Sequence, residues 1–131
     1  KMRNGALHIS AKKMGCSKVA LAHSLDDAIE TFFLSLFYER RIKLMQPVSY
    51  LSRRQVTLIR PLLYVREKTI THFTDAFRLP LIKNPCPQDS HTQREEMKQL
   101  VVGLEEKFPG VRDRILTAFK NSTPDYLWKR P

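Results

Sequence analysis

The spacing of apolar residues divides the chain into helices and short strands. Residues 2–14 read as a helix, and Gly15, a residue that readily adopts the left-handed conformation after a last turn, ends it. Residues 18–21 read as a strand. From Leu25 onward, Leu25, Ala28, Ile29, Phe32, Phe33 and Leu36 recur with helical period, and Ser24 is placed to cap the first turn. This helix runs to about Tyr38, where a basic segment and then Pro47 interrupt it. Residues 55–59 alternate polar and apolar positions with β-branched Val56, Thr57 and Ile59, so they read as a second strand ending at Arg60-Pro61. Residues 66–77 are amphipathic through Ile70, Phe73 and Phe77. Residues 79–83 read as a third strand with Pro80 near its start, which an edge or first strand position tolerates.

Two prolines bracket Cys86 in the segment 84–89 and remove backbone donors, so a constrained loop is expected there. Thr92 and Glu95 match a capping box that launches a helix with Met97, Leu100, Val101 and Leu104 inward. Pro109-Gly110 breaks it, and Val111, Ile115 and Phe119 belong to a last helix. The alternation of strand and helix is that of an α/β fold with a parallel sheet, followed by a helical extension. The expected division is an α/β part at 1–91 and an extension of the same unit at 92–131. No internal repeat or low-complexity tract occurs.

At 131 residues and 42% apolar content, the chain fits one domain with a core of ordinary density. No run approaches the ~20 apolar residues of a membrane span, and no leader-like start appears. Two cysteines, Cys16 and Cys86, argue against a disulfide-stapled module and suit a reducing cytoplasm, which is the expected location. Cys16, between Gly15 and a strand, is expected to be a small buried hydrophobe. The net charge of +10 and the pI near 10.0 point to a polyanionic partner, nucleic acid first. Basic residues gather at Arg40, Arg41 and Lys43, at Arg53-Arg54, at Arg112 and Arg114, and at Lys129-Arg130. Each cluster alone fits a solvated surface equally well.

The densest chemistry follows the first strand, in the run from Ala22 through His23, Ser24, Leu25, Asp26, Asp27, Ala28, Ile29 and Glu30 to Thr31. At about 100° per residue, Asp26, Asp27, Glu30 and Thr31 fall in one polar arc of roughly 140°, opposite the apolar face, which leaves that arc open for chemistry. Acids in a first turn also meet the helix dipole favourably without any catalytic role. That accounts for Asp26 and Asp27 but not for His23 or for Glu30-Thr31. Ligands of open parallel sheets bind outside the carboxyl ends of strands, where this cluster is expected. Arg60, at another strand's end, could hold phosphate or pair with an acid. His8, His72 and His91 have no partner at metal-ligand spacing and are expected on the surface or in packing.

The run 22–31 resembles the second signature of the PP-loop ATP pyrophosphatases, Gly-His, two variable residues, Asp-Asp, two variable residues, Glu-Thr, with Ala22 where glycine is usual. The similarity is nearest to the branch that thiolates cytidine in tRNA. It continues through the basic start at residues 1–7, through Ile59-Arg60-Pro61-Leu62, Glu67-Lys68 and Pro85-Cys86, to Gln93-Arg94. The resemblance implies the C-terminal part of an adenine nucleotide alpha hydrolase-like, Rossmann-like domain. The family's Ser-Gly-Gly-x-Asp-Ser phosphate loop is not among these residues, and the chain starts with lysine where the family's Cys-x-x-Cys pair would have ended.

Carried over residue by residue, the resemblance implies Asp27, with Asp26, in catalytic support, Mg²⁺ being a fitting partner for their oxygens. It places His23, Glu30, Thr31 and Arg60 in the wall of the ATP site. It makes Cys86 one of three protein ligands of a [4Fe-4S] cluster, the other two lying upstream; Asp89 stands where one form of the pattern has a further cysteine. Arg3, Arg40, Arg41 and Lys43 are the expected RNA contacts. The implied activity is ATP-dependent adenylation and thiolation of an anticodon-loop cytidine. Its implied partners are tRNA, a sulfur donor (a cysteine desulfurase or sulfide) and a second copy in a homodimer. A lysidine-forming ligase, a thiouridine synthase and a non-catalytic basic RNA-binding module remain as alternatives.

Overall fold

The computed structural model describes residues 2–82, 92–123 and 127, with side chains from residue 5 onward. Helix α1 (Met2–Lys13) ends as expected, with Gly15 at a φ of 68° and the Cys16 amide donating to the Ala11 carbonyl at 2.8 Å. Strand β1 (Lys18–Ala20) follows, then helix α2 (Leu25–Phe37). Two strands come next, β2 (Val48–Leu51) and β3 (Val56–Ile59), joined by a 3₁₀ turn at Ser52–Arg54. Helices α3 (Glu67–Ala76), α4 (Gln93–Lys107) and α5 (Val111–Lys120) complete the described elements.

The sheet has the order β1-β3-β2. β1 and β3 are parallel, Lys18 facing Thr57 and Ala20 facing Ile59, as a crossover through α2 requires. β2 runs antiparallel to β3, with Val48 opposite Ile59 and Leu51 opposite Val56. This hairpin differs from the sequence expectation, which has no strand between residues 21 and 55. Its turn carries none of the Asn-Gly or Asp-Gly signals of tight hairpins. The left-handed position is instead held by Gln55 at a φ of 53°.

The expected strand at 79–83 does not form within its described part, residues 79–82. Pro80 supplies no amide hydrogen, and Leu81 and Ile82 are 67% and 95% exposed, so neither a full ladder nor burial rewards extension there. Lys83 and the loop at 84–89 lie outside the described residues. Cys16 also departs from expectation, being exposed rather than buried.

The core centres on α2. Leu25, Ile29 and Val101 are almost wholly buried, and Phe33, Ile115, Leu116 and Phe119 pack against them. The apolar face of α2 therefore meets α4 and α5, with Phe32 edge-on to Phe119 at 5.2 Å between centroids. Val56 and Leu58 bury one face of β3. Among the described residues, no helix is long and apolar enough to cross a membrane.

Candidate functional site at the start of the second helix

The parallel pair β1 and β3 delivers residues 21–25 and 60–65 to the same sheet edge. The Leu21 amide donates to the Ile59 carbonyl, and the Leu25 amide donates to the Val65 carbonyl, each at 2.9 Å. His23, half-buried, and Ser24, buried, lie in the link between β1 and α2. Ser24 is the N-cap. Its Oγ accepts from the Asp27 amide at 3.2 Å while Asp27 Oδ2 accepts from the Ser24 amide at 2.7 Å, a complete capping box. Ser24 is extended, with ψ at 177°, as an N-cap residue ordinarily is.

The polar arc of α2 is not left open, as the helical wheel suggests; arginines from the C-terminal helices cover it. Arg94, near the start of α4, donates through Nη2 to Asp27 Oδ1 at 2.6 Å and through Nε to Glu30 Oε2 at 3.0 Å. Arg112 of α5 donates through Nε to Asp26 Oδ1 at 2.8 Å, and its Nη1 lies 3.3 Å from Glu105 Oε2. Asp26 Oδ2 accepts from the Glu67 amide at 2.7 Å, which anchors the start of α3. Asp26 thus ties three helices together. The physical cause is composition: residues 25–38 carry three acids and no base, so counter-charges must come from elsewhere in the chain.

These contacts fix the electrostatics. Burial raises the pKa of Glu30 above its usual value, and the Arg94 charge only partly opposes this. Burial also acts to raise that of Glu105, but hydrogen bonds from the Gly110 and Arg112 amides and the Arg112 charge outweigh it, and the net direction is down. Beside the arginine clasp lies a polar cavity of about 220 Å³ bordered by Ser24, Asp27, Glu30, Thr92, Arg94 and Lys98. Lys98 also pairs with Glu67 at 3.6 Å, and Arg66 with Asp113.

Arg60 sits at the end of β3, but its Nη1 donates to the Gln46 carbonyl at 2.6 Å, bracing the approach to β2. Its Nε has no hydrogen-bond partner among the described residues, and burial lowers its pKa. Thr31 is half-buried one turn beyond Asp27, while Arg40, Arg41 and Lys43 are exposed after the end of α2. The side chain of Arg3, and Cys86 entirely, lie outside the described residues. Cys16 lies at the start of β1, at the far end of the strand from Ser24. The described residues contain no group of three histidines, cysteines or acids that could hold a metal. They therefore do not form a cage for Mg²⁺, nor a ligand set for an iron-sulfur cluster.

Sequence reasoning gave no site role to Arg94, Arg112, Glu105 or Lys98. The signal that could have found the arginines was the absence of any lysine or arginine within the acidic helix.

Residues 1–104 match the family model described as the PP-loop domain. The tRNA-cytidine(32) 2-sulfurtransferase of Geobacter sulfurreducens is 38% identical over 129 residues, 97% of this chain and 50% of that protein. The enzyme of the same name from Idiomarina loihiensis is 37% identical over 128 residues, 97% of this chain and 43% of that protein. The chain thus spans about half the length of these relatives or less. Among solved structures, the U34-tRNA thiolase NcsA from Methanococcus maripaludis with its [4Fe-4S] cluster superposes with a TM-score of 0.72. The match covers 91% of this chain and 40% of that one at 23% identity, which establishes a shared fold.

Proposed function

The chain belongs to the PP-loop domain family, and from that premise we propose that it is part of an ATP-dependent tRNA sulfurtransferase forming 2-thiocytidine. The observation that carries the proposal is the identity of 37–38% across 97% of the chain with relatives named for that reaction. The acidic start of α2, at the carboxyl ends of two parallel strands, is where such a fold binds its ligand. In this reading ATP adenylates the C2 oxygen of a cytidine and pyrophosphate leaves; sulfur at the sulfide level then attacks C2, and the oxygen departs with AMP.

Asp27 is the foremost catalytic candidate, because Ser24 and Arg94 hold its carboxylate in one orientation beside the polar cavity. Asp26 supports it through the register of α2 and α3. His23, Glu30, Thr31 and Arg60 form the nucleotide wall. Mg²⁺ prefers oxygen and keeps substrate phosphates in its shell, so it belongs with the triphosphate with which it enters. An iron-sulfur cluster, to which Cys86 would give one thiolate, would supply the sulfur-transfer chemistry. Arg3, Arg40, Arg41 and Lys43 would contact tRNA. A cysteine desulfurase or sulfide as sulfur donor, a homodimer and a cytoplasmic location complete the proposal.

The test is nucleoside analysis of tRNA incubated anaerobically with the full-length protein, ATP and sulfide. ATP-dependent 2-thiocytidine is expected, and Asp27→Asn should fold yet lose most of it. Appearance of 2-thiouridine, lysidine or no modified base would overturn the cytidine assignment.

A further inference from the structure

The charges of this chain are segregated. Residues 1–25 and 40–66, which build α1 and the whole sheet, carry 12 lysines and arginines and no acid; all 13 acids lie in the remainder. Among the described residues, ion pairs draw their cations from Arg94, Lys98 and Arg112 in the acidic part, and from Arg66 at its border. The helical half neutralises itself. The sheet half does not.

The fold concentrates part of that positive charge at one place. Lys12 and Lys13 occupy the last turn of α1, and the Thr57 amide donating to the Ser17 carbonyl at 2.9 Å leads the chain into β1, where Lys18 faces Thr57. The hairpin tip with Arg53 and Arg54 immediately precedes β3, and so lies at the same end of the sheet. Arg54 Nη1 lies 2.8 Å from Nδ1 of buried His8, which fastens the tip to α1. All five cations are exposed, and none is in an ion pair among the described residues. The α1 dipole accounts for Lys12 and Lys13 at its C-terminus but not for the other three. A groove of about 300 Å³ runs beside the tip, lined by Tyr50, Leu51, Ser52, Arg53 and Arg54, with Tyr50 64% exposed.

We propose that this end of the sheet, opposite the α2 site, is a second RNA contact: Tyr50 stacks on an unpaired base while Lys12, Lys13, Lys18, Arg53 and Arg54 hold the flanking phosphates. An aromatic platform among basic side chains is the usual way of binding single-stranded nucleic acid. The inference rests on the tRNA reading above and adds where the RNA runs. Four residues of strand separate the two ends, about 13 Å, so one folded RNA can touch both.

The test measures tRNA affinity of the full-length protein across a salt series. Tyr50→Ala should weaken binding about tenfold without changing the salt slope, and Tyr50→Phe should bind as wild type. Lys13→Ala/Lys18→Ala/Arg53→Ala should lower the slope by about 2, since each of three lost contacts to single-stranded phosphate removes roughly 0.7 of a released counterion. A Lys107→Ala/Arg114→Ala control, on the acidic half, should leave the slope unchanged. Should the triple variant and Tyr50→Ala bind tRNA like wild type while thiolation persists, this contact is wrong and the sulfurtransferase reading stands. Equal losses in the control would likewise overturn it, by reducing the effect to bulk charge. So would patch-dependent binding to anionic vesicles with tRNA affinity unaltered. A wild-type protein that fails to bind tRNA would overturn both readings.

Discussion

Replacing Arg112 by methionine should loosen the join between α2, α4 and α5 without emptying the core. The guanidinium bridges Asp26 and Glu105, and the three side chains are 16%, 14% and 25% exposed, so water screens the pair weakly. Removing one member of a fully buried pair typically costs 3–5 kcal/mol, roughly. Here both carboxylates keep a backbone donor, Asp26 from Glu67 and Glu105 from Gly110 and from residue 112 itself, and methionine retains most of the stem packing. About 2 kcal/mol is therefore expected, close to the worth of one charge-assisted hydrogen bond. Amide hydrogen exchange in the full-length protein reads this locally. Protection of α5 amides should fall about 30-fold, that energy converted to an opening equilibrium. Arg112→Lys should lie between, because an ammonium cannot fork across two carboxylates. The double variant Asp26→Asn/Arg112→Met should be milder than the sum of its parts. A change below about threefold in Arg112→Met, or strict additivity in the double variant, would refute the idea that this clasp holds the helices in register.

Because burial raises the Glu30 pKa, the folded state binds that proton more readily than the unfolded chain, and ionised Glu30 costs stability at neutral pH. Glu30→Gln should raise the unfolding temperature at pH 7, with the gain vanishing below about pH 4, where both states are protonated; thiolation should fall. Glu105 has the opposite sign, so Glu105→Gln should destabilise at pH 7 and converge on wild type as acid protonates the native carboxyl. Gly103, exposed within α4 and clear of neighbours, should accept alanine with a gain of about 0.5–1 kcal/mol in denaturant unfolding, whereas Gly110, at a φ of 81°, should lose about 1–2 kcal/mol. Cys86→Ser should remove iron and thiolation from the anaerobic full-length protein while leaving tRNA affinity nearly intact; an iron-replete, active variant would exclude it as a cluster ligand.

The five helices were legible because each carries a local signal: Gly15 and Gly110 at breaks, Ser24 and Thr92 at caps, and apolar residues three and four apart. β2 was not, since Val48 and Tyr50 are 61% and 64% exposed and the turn lacks glycine, so neither burial nor turn chemistry marks it. The cluster at residues 23–31 was visible as types in sequence. Its partners were not, because Arg94 is 67 residues from Asp27 and Arg112 is 86 from Asp26, and only tertiary packing brings them together.

That long-range pairing changes how the acids of α2 must be tested. Asp27 closes the capping box, pairs with Arg94 and borders the cavity; Asp26 caps one helix and clasps another. Loss of activity on substituting either residue therefore mixes chemistry with architecture. Arg94 separates them. Arg94→Gln would leave Asp27 in its box, held by Ser24, yet deprive both Asp27 and Glu30 of their counter-charge. Arg94 and Asp27 are 47% and 31% exposed but Glu30 only 9%, so the stability loss should be about 1–2 kcal/mol, most of it at Glu30. If Glu30 acts in chemistry, loss of the Arg94 charge that opposes its raised pKa should move the acid limb of the thiolation pH profile upward; if the acids only hold the helices, the profile should keep its shape.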